Sequence, residues 1–81
     1  MAELRIEYTQ NGRTISDESF KTVAPGTGFD CGEISHAKQA AIALVEKMGC
    51  GTTAVYVKSD AGRRYIASFC TAADHVAAGC F

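Results

Sequence analysis

The sequence predicts an α+β domain: an antiparallel four-stranded sheet, one long helix packed on one of its faces, and a short C-terminal helix, in the order β-β-α-β-β-α. Two hairpin patterns predict the sheet, one on each side of a central segment. In that segment the apolar period changes from two residues to 3.6, which predicts the helix. With 81 residues, the chain is expected to form a single domain spanning residues 1–81.

Alternation and a turn dipeptide predict the first hairpin. Apolar and polar residues alternate from Leu4 to Tyr8, as they do on a half-buried strand. The pair Asn11–Gly12 accepts the positive φ angles of a type I′ turn. This turn would place Tyr8 opposite Ile15. Farther from the turn, however, the same register would set apolar residues of the first strand opposite polar residues of the second. We therefore expect a bulge or break near Ser16–Ser19, with pairing resumed beyond it.

A continuous apolar face predicts the long helix. Its apolar residues follow the helical spacing, and they are Ala37, Ala40, Ala41, Leu44, Val45 and Met48. Ser35 is the predicted N-cap, and Gly49 is the predicted left-handed residue after the last turn. The small alanine side chains would let the helix approach the sheet closely.

The second hairpin follows from an alternating pattern around a glycine. A three-residue loop over Asp60–Gly62, with Gly62 in its left-handed position, would pair Val57 with Tyr65 and Val55 with Ala67 on the face toward the helix. The opposite face would carry two cross-strand pairs, namely Tyr56 beside Ile66 and Lys58 beside Arg64.

A capping pattern predicts the short C-terminal helix. Thr71 is its N-cap, Asp74 lies three residues later, and Gly79 ends it. One long helix covers one face of a four-stranded sheet. The other face is therefore expected to be solvated, covered by the C-terminal helix, or occupied by a partner.

Composition narrows the function classes. The net charge of −1 argues against direct nucleic-acid binding, which usually needs a basic excess. No apolar run approaches the roughly 20 residues that cross a bilayer. The first residues lack the apolar core of a signal peptide. We expect a cytoplasmic protein that does not bind membranes.

Three glycines precede the helix, at Gly26, Gly28 and Gly32, and invite comparison with a phosphate-binding loop. Their spacing does not match the dinucleotide or P-loop patterns, and the P-loop lysine is missing. Asp30 and Glu33 would also repel phosphate. The loop is interpreted as a connector.

The cysteine and histidine pattern predicts neither a cofactor nor a metal site. No two cysteines have the short spacing of a metal knuckle, so buried free thiols are expected. The alternative is an enzyme or metal protein built on two groups of residues: Cys31 with His36, and Cys70 with His75 and Cys80.

Basic residues mark the candidate partner-binding surface. Lys58, Arg63 and Arg64 cluster at the tip of the second hairpin, with Tyr56 and Ile66 expected on the same sheet face as Lys58 and Arg64. Tyrosine and arginine are enriched at interface hot spots. The alternatives are a tip that only confers solubility, or burial of this surface in a homodimer.

The layout resembles that of small phage-encoded anti-CRISPR proteins. The features that carry the resemblance are the N-terminal hairpin, the helix "SHAKQAAIALVEKMG" and the hairpin "TAVYVKSDAGRRYIASF". The resemblance implies a non-enzymatic inhibitor in the host cytoplasm that occludes a type I CRISPR surveillance complex, a host ribonucleoprotein, by stoichiometric binding. It does not extend to the C-terminal "TAADHVAAGCF". The alternatives are a homo-oligomeric accessory domain and a small Cys/His metal protein.

Overall fold

The computed structural model describes residues 2–24 and 27–70, and there it confirms four antiparallel strands and one helix. The elements are β1 (Ala2–Gln10), β2 (Arg13–Val23), α1 (Cys31–Met48), β3 (Thr52–Ser59) and β4 (Gly62–Cys70). The strand order is β2-β1-β3-β4. Within these ranges no helix combines the length and the apolar character needed to cross a membrane. The predicted C-terminal helix lies outside the described residues.

The β1–β2 hairpin has the predicted turn but a different register. Asn11 and Gly12 have φ angles of 53° and 77°, which confirms the left-handed turn. Tyr8 pairs with Ser16 rather than with Ile15, because Ile15 is an extra, bulged residue. A second register shift falls at Phe20, so the two irregularities flank the expected segment.

The bulge at Ile15 decides which face of the sheet receives Asp17. Without the bulge, Asp17 would pair with Ile6 and place a carboxylate on the apolar face. With it, Asp17 pairs with Glu7 and lies on the opposite face, where Arg5 reaches it. Glu18 takes the position opposite Ile6 instead and is exposed there, so the gain of the observed register is the ion pair between Asp17 and Arg5.

The helix begins earlier than predicted. Asp30, not Ser35, is the N-cap: its side chain accepts a hydrogen bond from the Glu33 backbone N–H at 2.7 Å. The Glu33 side chain accepts one from the Asp30 backbone N–H at 3.2 Å. This reciprocal capping box satisfies two backbone donors. Gly49 ends the helix with a φ of 78°, as predicted.

The core lies between α1 and one face of the sheet. Leu4, Ala37, Ala41 and Val55 form its buried cluster, and α1 contacts β1, β3 and β4. The buried Thr53 hydroxyl donates to the Ala41 carbonyl at 2.9 Å, tying β3 to the helix. This arrangement confirms that the long helix packs on one face. The face opposite the helix is called the open face below.

The predicted apolar face of the helix is only partly buried. Ala37, Ala41 and Val45 are buried, whereas Met48 is 47% exposed. Met48 occupies the last position of α1, beyond the part of the helix that the core cluster covers.

The segment between α1 and β3 passes very close to β1. The Tyr8 hydroxyl donates to the Cys50 carbonyl at 2.6 Å. The next residue, Gly51, has a φ of 91°, and a Cβ there would lie 2.7 Å from the Thr9 carbonyl oxygen. Only glycine meets both conditions, because it tolerates positive φ and has no Cβ.

Candidate binding surfaces on the two faces of the sheet

The β3–β4 hairpin differs from the prediction by one residue near its turn. Gly62 has the expected positive φ, 114°, but it pairs with Ser59, so the loop is Asp60–Ala61 alone. Farther from the turn, Val55 pairs with Ala67 as predicted. The pairing changes by one residue between these two parts of the hairpin because Ile66 is an extra, bulged residue of β4.

The one-residue difference divides the predicted partner-binding residues between the two faces. Tyr56 pairs with Tyr65, and Lys58 pairs with Arg63. The expected pairs of Tyr56 with Ile66 and of Lys58 with Arg64 are therefore wrong, as is that of Val57 with Tyr65. The open face carries Tyr56, Lys58 and Arg63, whereas Arg64 pairs with Val57 on the helix side and Ile66 packs against the core there.

Tyr56 is not the exposed anchor that the sequence predicted. Its exposed fraction is 0%, although it lies on the open face opposite Arg5. The Tyr56 hydroxyl donates to Asp17 Oδ2 at 2.5 Å. Arg5 Nε donates to Asp17 Oδ1 at 2.9 Å, and Arg5 Nη2 donates to the Asp17 carbonyl at 2.9 Å. This network holds Tyr56 against the sheet and away from water.

Two exposed side chains cover Tyr56. The Arg63 guanidinium lies 5.0 Å from the centroid of the Tyr56 ring, within range of a cation–π interaction. The Tyr65 ring centroid is 5.1 Å from that of Tyr56, with the rings tilted by 31°. Both residues reach Glu7: Arg63 Nη1 at 3.3 Å and the Tyr65 hydroxyl at 3.5 Å. Tyr65 is 54% exposed and lies on the open face, whereas the sequence predicts it on the helix side.

The charge network shifts the protonation of its members. Burial by itself would raise the pKa of Asp17, but the hydrogen bonds from Tyr56 and Arg5 outweigh it, so the pKa lies below its ordinary value of 3.8. Burial and then the Asp17 carboxylate raise the pKa of Tyr56 above its ordinary value of 10.0. The hydrogen bond to Asp17 also raises the pKa of Arg5. Asp17 is therefore ionised and Tyr56 neutral at physiological pH.

These shifts predict a pH dependence of stability. The lowered pKa of Asp17 stabilises the fold above pH 3.8, and the stabilisation is lost as the pH falls through the folded-state value. The raised pKa of Tyr56 stabilises the fold below pH 10.0, and that stabilisation is lost as the pH rises through its folded-state value. We expect the free energy of unfolding in urea to be level between about pH 5 and 9 and to fall on both sides. Tyr56→Phe should reduce the alkaline fall; an unchanged alkaline limb would contradict the assignment to Tyr56.

The helix side of the β3–β4 hairpin contains a cavity of about 410 Å³. Its lining residues include the apolar Phe29, Ile34, Val57 and Ile66 and one charged residue, Arg64. Thr27 and Gly28, from the segment between β2 and α1, also line the cavity. Gly32 belongs to the first turn of α1 rather than to the loop.

The cysteine and histidine alternative finds no assembled site in residues 2–24 and 27–70. There, no three His, Cys, Asp or Glu side chains come together to hold a metal ion. Cys31 and His36 both lie on α1, and five residues of helix rotate them by about 140° from each other. Cys31 is exposed and Cys50 and Cys70 are half-buried, so the expected burial of these thiols is wrong. His75 and Cys80 lie outside the described residues.

Comparison of the chain with protein-family models, with curated proteins and with solved structures found no significant match.

Proposed function

We propose that this protein is a non-enzymatic protein-binding module that acts through the open face of its sheet. One observation carries the proposal: the exposed pair Arg63 and Tyr65 rests on the buried ring of Tyr56. Lys58 extends this surface toward the turn, as the strand partner of Arg63. The contact residues proposed are therefore Lys58, Arg63 and Tyr65, with Tyr56 as their support.

Preorganisation favours this surface as a docking site. Ordering a flexible side chain on binding costs about 0.5–1.5 kcal/mol. The Glu7 carboxylate and the Tyr56 ring already restrain Arg63 and Tyr65 in the free protein. Much of the free-energy cost of ordering these two side chains therefore does not arise on binding. Tyrosine and arginine also contribute disproportionately to interface energy.

The charges on the open face favour an acidic protein surface as partner. Lys58 forms no ion pair with another described residue, so its charge is available to a partner carboxylate. The other two cations of the open face are already paired, Arg5 with Glu3 and Asp17, and Arg63 with Glu7. Among the described residues, Lys58 is therefore the cation of this face that an acidic partner can pair with directly.

The narrower form of the proposal names the partner by resemblance. The order of hairpin, helix and hairpin resembles that of small phage-encoded anti-CRISPR proteins, which supports a role as a stoichiometric inhibitor of a type I CRISPR surveillance complex. The support for this narrower form is the layout of the elements. It is tested directly by mixing the protein with a purified type I complex and measuring target-DNA binding.

Adjacent arginines on opposite faces provide the test of the binding surface. We expect Arg63→Glu to reduce capture of the partner, or inhibition of the type I complex, by at least about tenfold, because it replaces a stacked cation with a repelled anion. Arg64→Glu makes the same charge change on the helix side and should leave binding within about twofold of the parent. The measurement is binding of each variant to immobilised partner by biolayer interferometry.

Two outcomes would contradict the proposal. Equal loss for both variants would indicate a nonspecific charge effect, and loss for Arg64→Glu alone would place the contact on the other face. Multi-angle light scattering on the same samples measures the molar mass and so tests the homo-oligomer alternative. A dimer that dissociates on Arg63→Glu would identify a second copy as the occupant of the open face.

A further inference from the structure

The cavity on the helix side has the composition of a small-molecule site. Ligand sites are commonly clefts of about 300–1,000 Å³ with apolar walls and a few polar groups that fix orientation. This cavity measures about 410 Å³. Phe29, Val57 and Ile66 line it and also pack against the core cluster. The part of the cavity nearest the core is therefore apolar, and core packing holds these three residues in place.

Arg64 supplies a single cation to this apolar space. Its side chain forms no hydrogen bond or ion pair with another described residue, although arginine has five donors. Carboxylates near the start of α1 are already engaged: Glu33 pairs with Lys21, and Asp30 caps the helix. Arg64 lines the cavity and is exposed, so its donors are available to an acceptor that enters from outside the protein.

We propose that this cavity binds an amphipathic monocarboxylate, with the apolar tail against Phe29, Val57 and Ile66 and the carboxylate on Arg64. The planar guanidinium matches a carboxylate in a two-bond geometry. At the packing density of an organic liquid, about 0.5–0.6, the cavity holds a carboxylate of roughly eight to twelve carbons. The site lies on the face opposite the proposed protein-binding surface, so the inference goes beyond that function and is independent of it.

Titration of the labelled protein with octanoate tests the site. We expect saturable amide shifts at Gly28, Ile34 and Ile66 in nitrogen–proton correlation spectra, with a Kd roughly in the millimolar range. Octanol has the same tail without the charge, and acetate has the charge without the tail. Both should bind at least about fivefold more weakly than octanoate, because each lacks one of the two contacts.

Matched variants separate the proposed contact from general charge effects. Arg64→Gln should weaken octanoate binding about tenfold, and Arg64→Lys should retain part of it. Arg63→Gln removes the neighbouring charge on the open face and should leave the Kd within about twofold. Thermal melting of each variant confirms that the fold is retained.

Three results would overturn the proposal: no shifts at cavity residues, equal binding of octanol and octanoate, or equal weakening by Arg63→Gln and Arg64→Gln. None of these depends on a protein partner. The same two arginines thus separate the two proposals, since partner binding should depend on Arg63 and carboxylate binding on Arg64.

Discussion

Replacing Gly51 with alanine is expected to lower the free energy of unfolding by about 3 kcal/mol, which is a fall in Tm of about 15 °C for a domain of this size. Two effects add. The φ of 91° disfavours any L side chain, and the new Cβ would meet the Thr9 carbonyl oxygen at 2.7 Å and the Tyr8 ring at 2.8 Å. The Thr9 carbonyl belongs to the backbone of β1 and cannot move aside as a flexible side chain can. Urea denaturation followed by circular dichroism measures the loss.

Gly49→Ala is the matched control for this prediction. Gly49 has a φ of 78°, but a Cβ there would meet no atom within 4 Å. It should therefore cost about 1 kcal/mol, the conformational part alone. If Gly51→Ala destabilises no more than Gly49→Ala, the close approach of the segment to β1 does not exist in solution.

Asp17→Ala is expected to lower the free energy of unfolding by about 2 kcal/mol. Its carboxylate accepts from the Tyr56 hydroxyl and from Arg5. Its removal leaves the Tyr56 hydroxyl, part of a fully buried residue, without its acceptor. The loss should shrink as the pH falls below 3.8, because the unfolded chain then takes up a proton that the folded Asp17 resists, and the stabilisation from its lowered pKa declines. Chemical denaturation at neutral pH and near pH 3 measures both effects.

Glu18→Ala removes a neighbouring carboxylate that forms no hydrogen bond or ion pair with another described residue. It should change stability by less than about 0.5 kcal/mol.

A double-mutant cycle that combines Asp17→Ala with Tyr56→Phe completes the test of Asp17, because partners in one network show non-additive losses. Additive losses would show that the Asp17–Tyr56 hydrogen bond does not stabilise the fold.

Local patterns predict the type and order of the five elements in the described part of the chain. The Asn11–Gly12 turn, the left-handed Gly49 and the alanine-rich face each depend on a few neighbouring residues, and the structure confirms them. The start of the helix was missed because Gly32 resembles a loop residue. The signal available was the pair Asp30 and Glu33, which forms the capping box.

Register was harder to predict, because a shift of one residue moves a side chain to the other face. The bulge at Ile66 places Tyr65 on the open face and moves Ile66 to the helix side. Nothing in the alternating pattern of β4 marks that extra residue. Burial of Tyr56 was also beyond local reasoning, because its partners Arg5 and Asp17 lie on β1 and β2, far away in sequence.

The two bulges of β2 have a consequence for association between molecules. β2 is an edge strand of 11 residues, and a long, regular edge can template the growth of aggregates. The extra residues Ile15 and Phe20 interrupt its row of backbone donors and acceptors and increase its local twist. A strand from another copy therefore cannot extend the sheet evenly along this border, which disfavours fibril growth from β2.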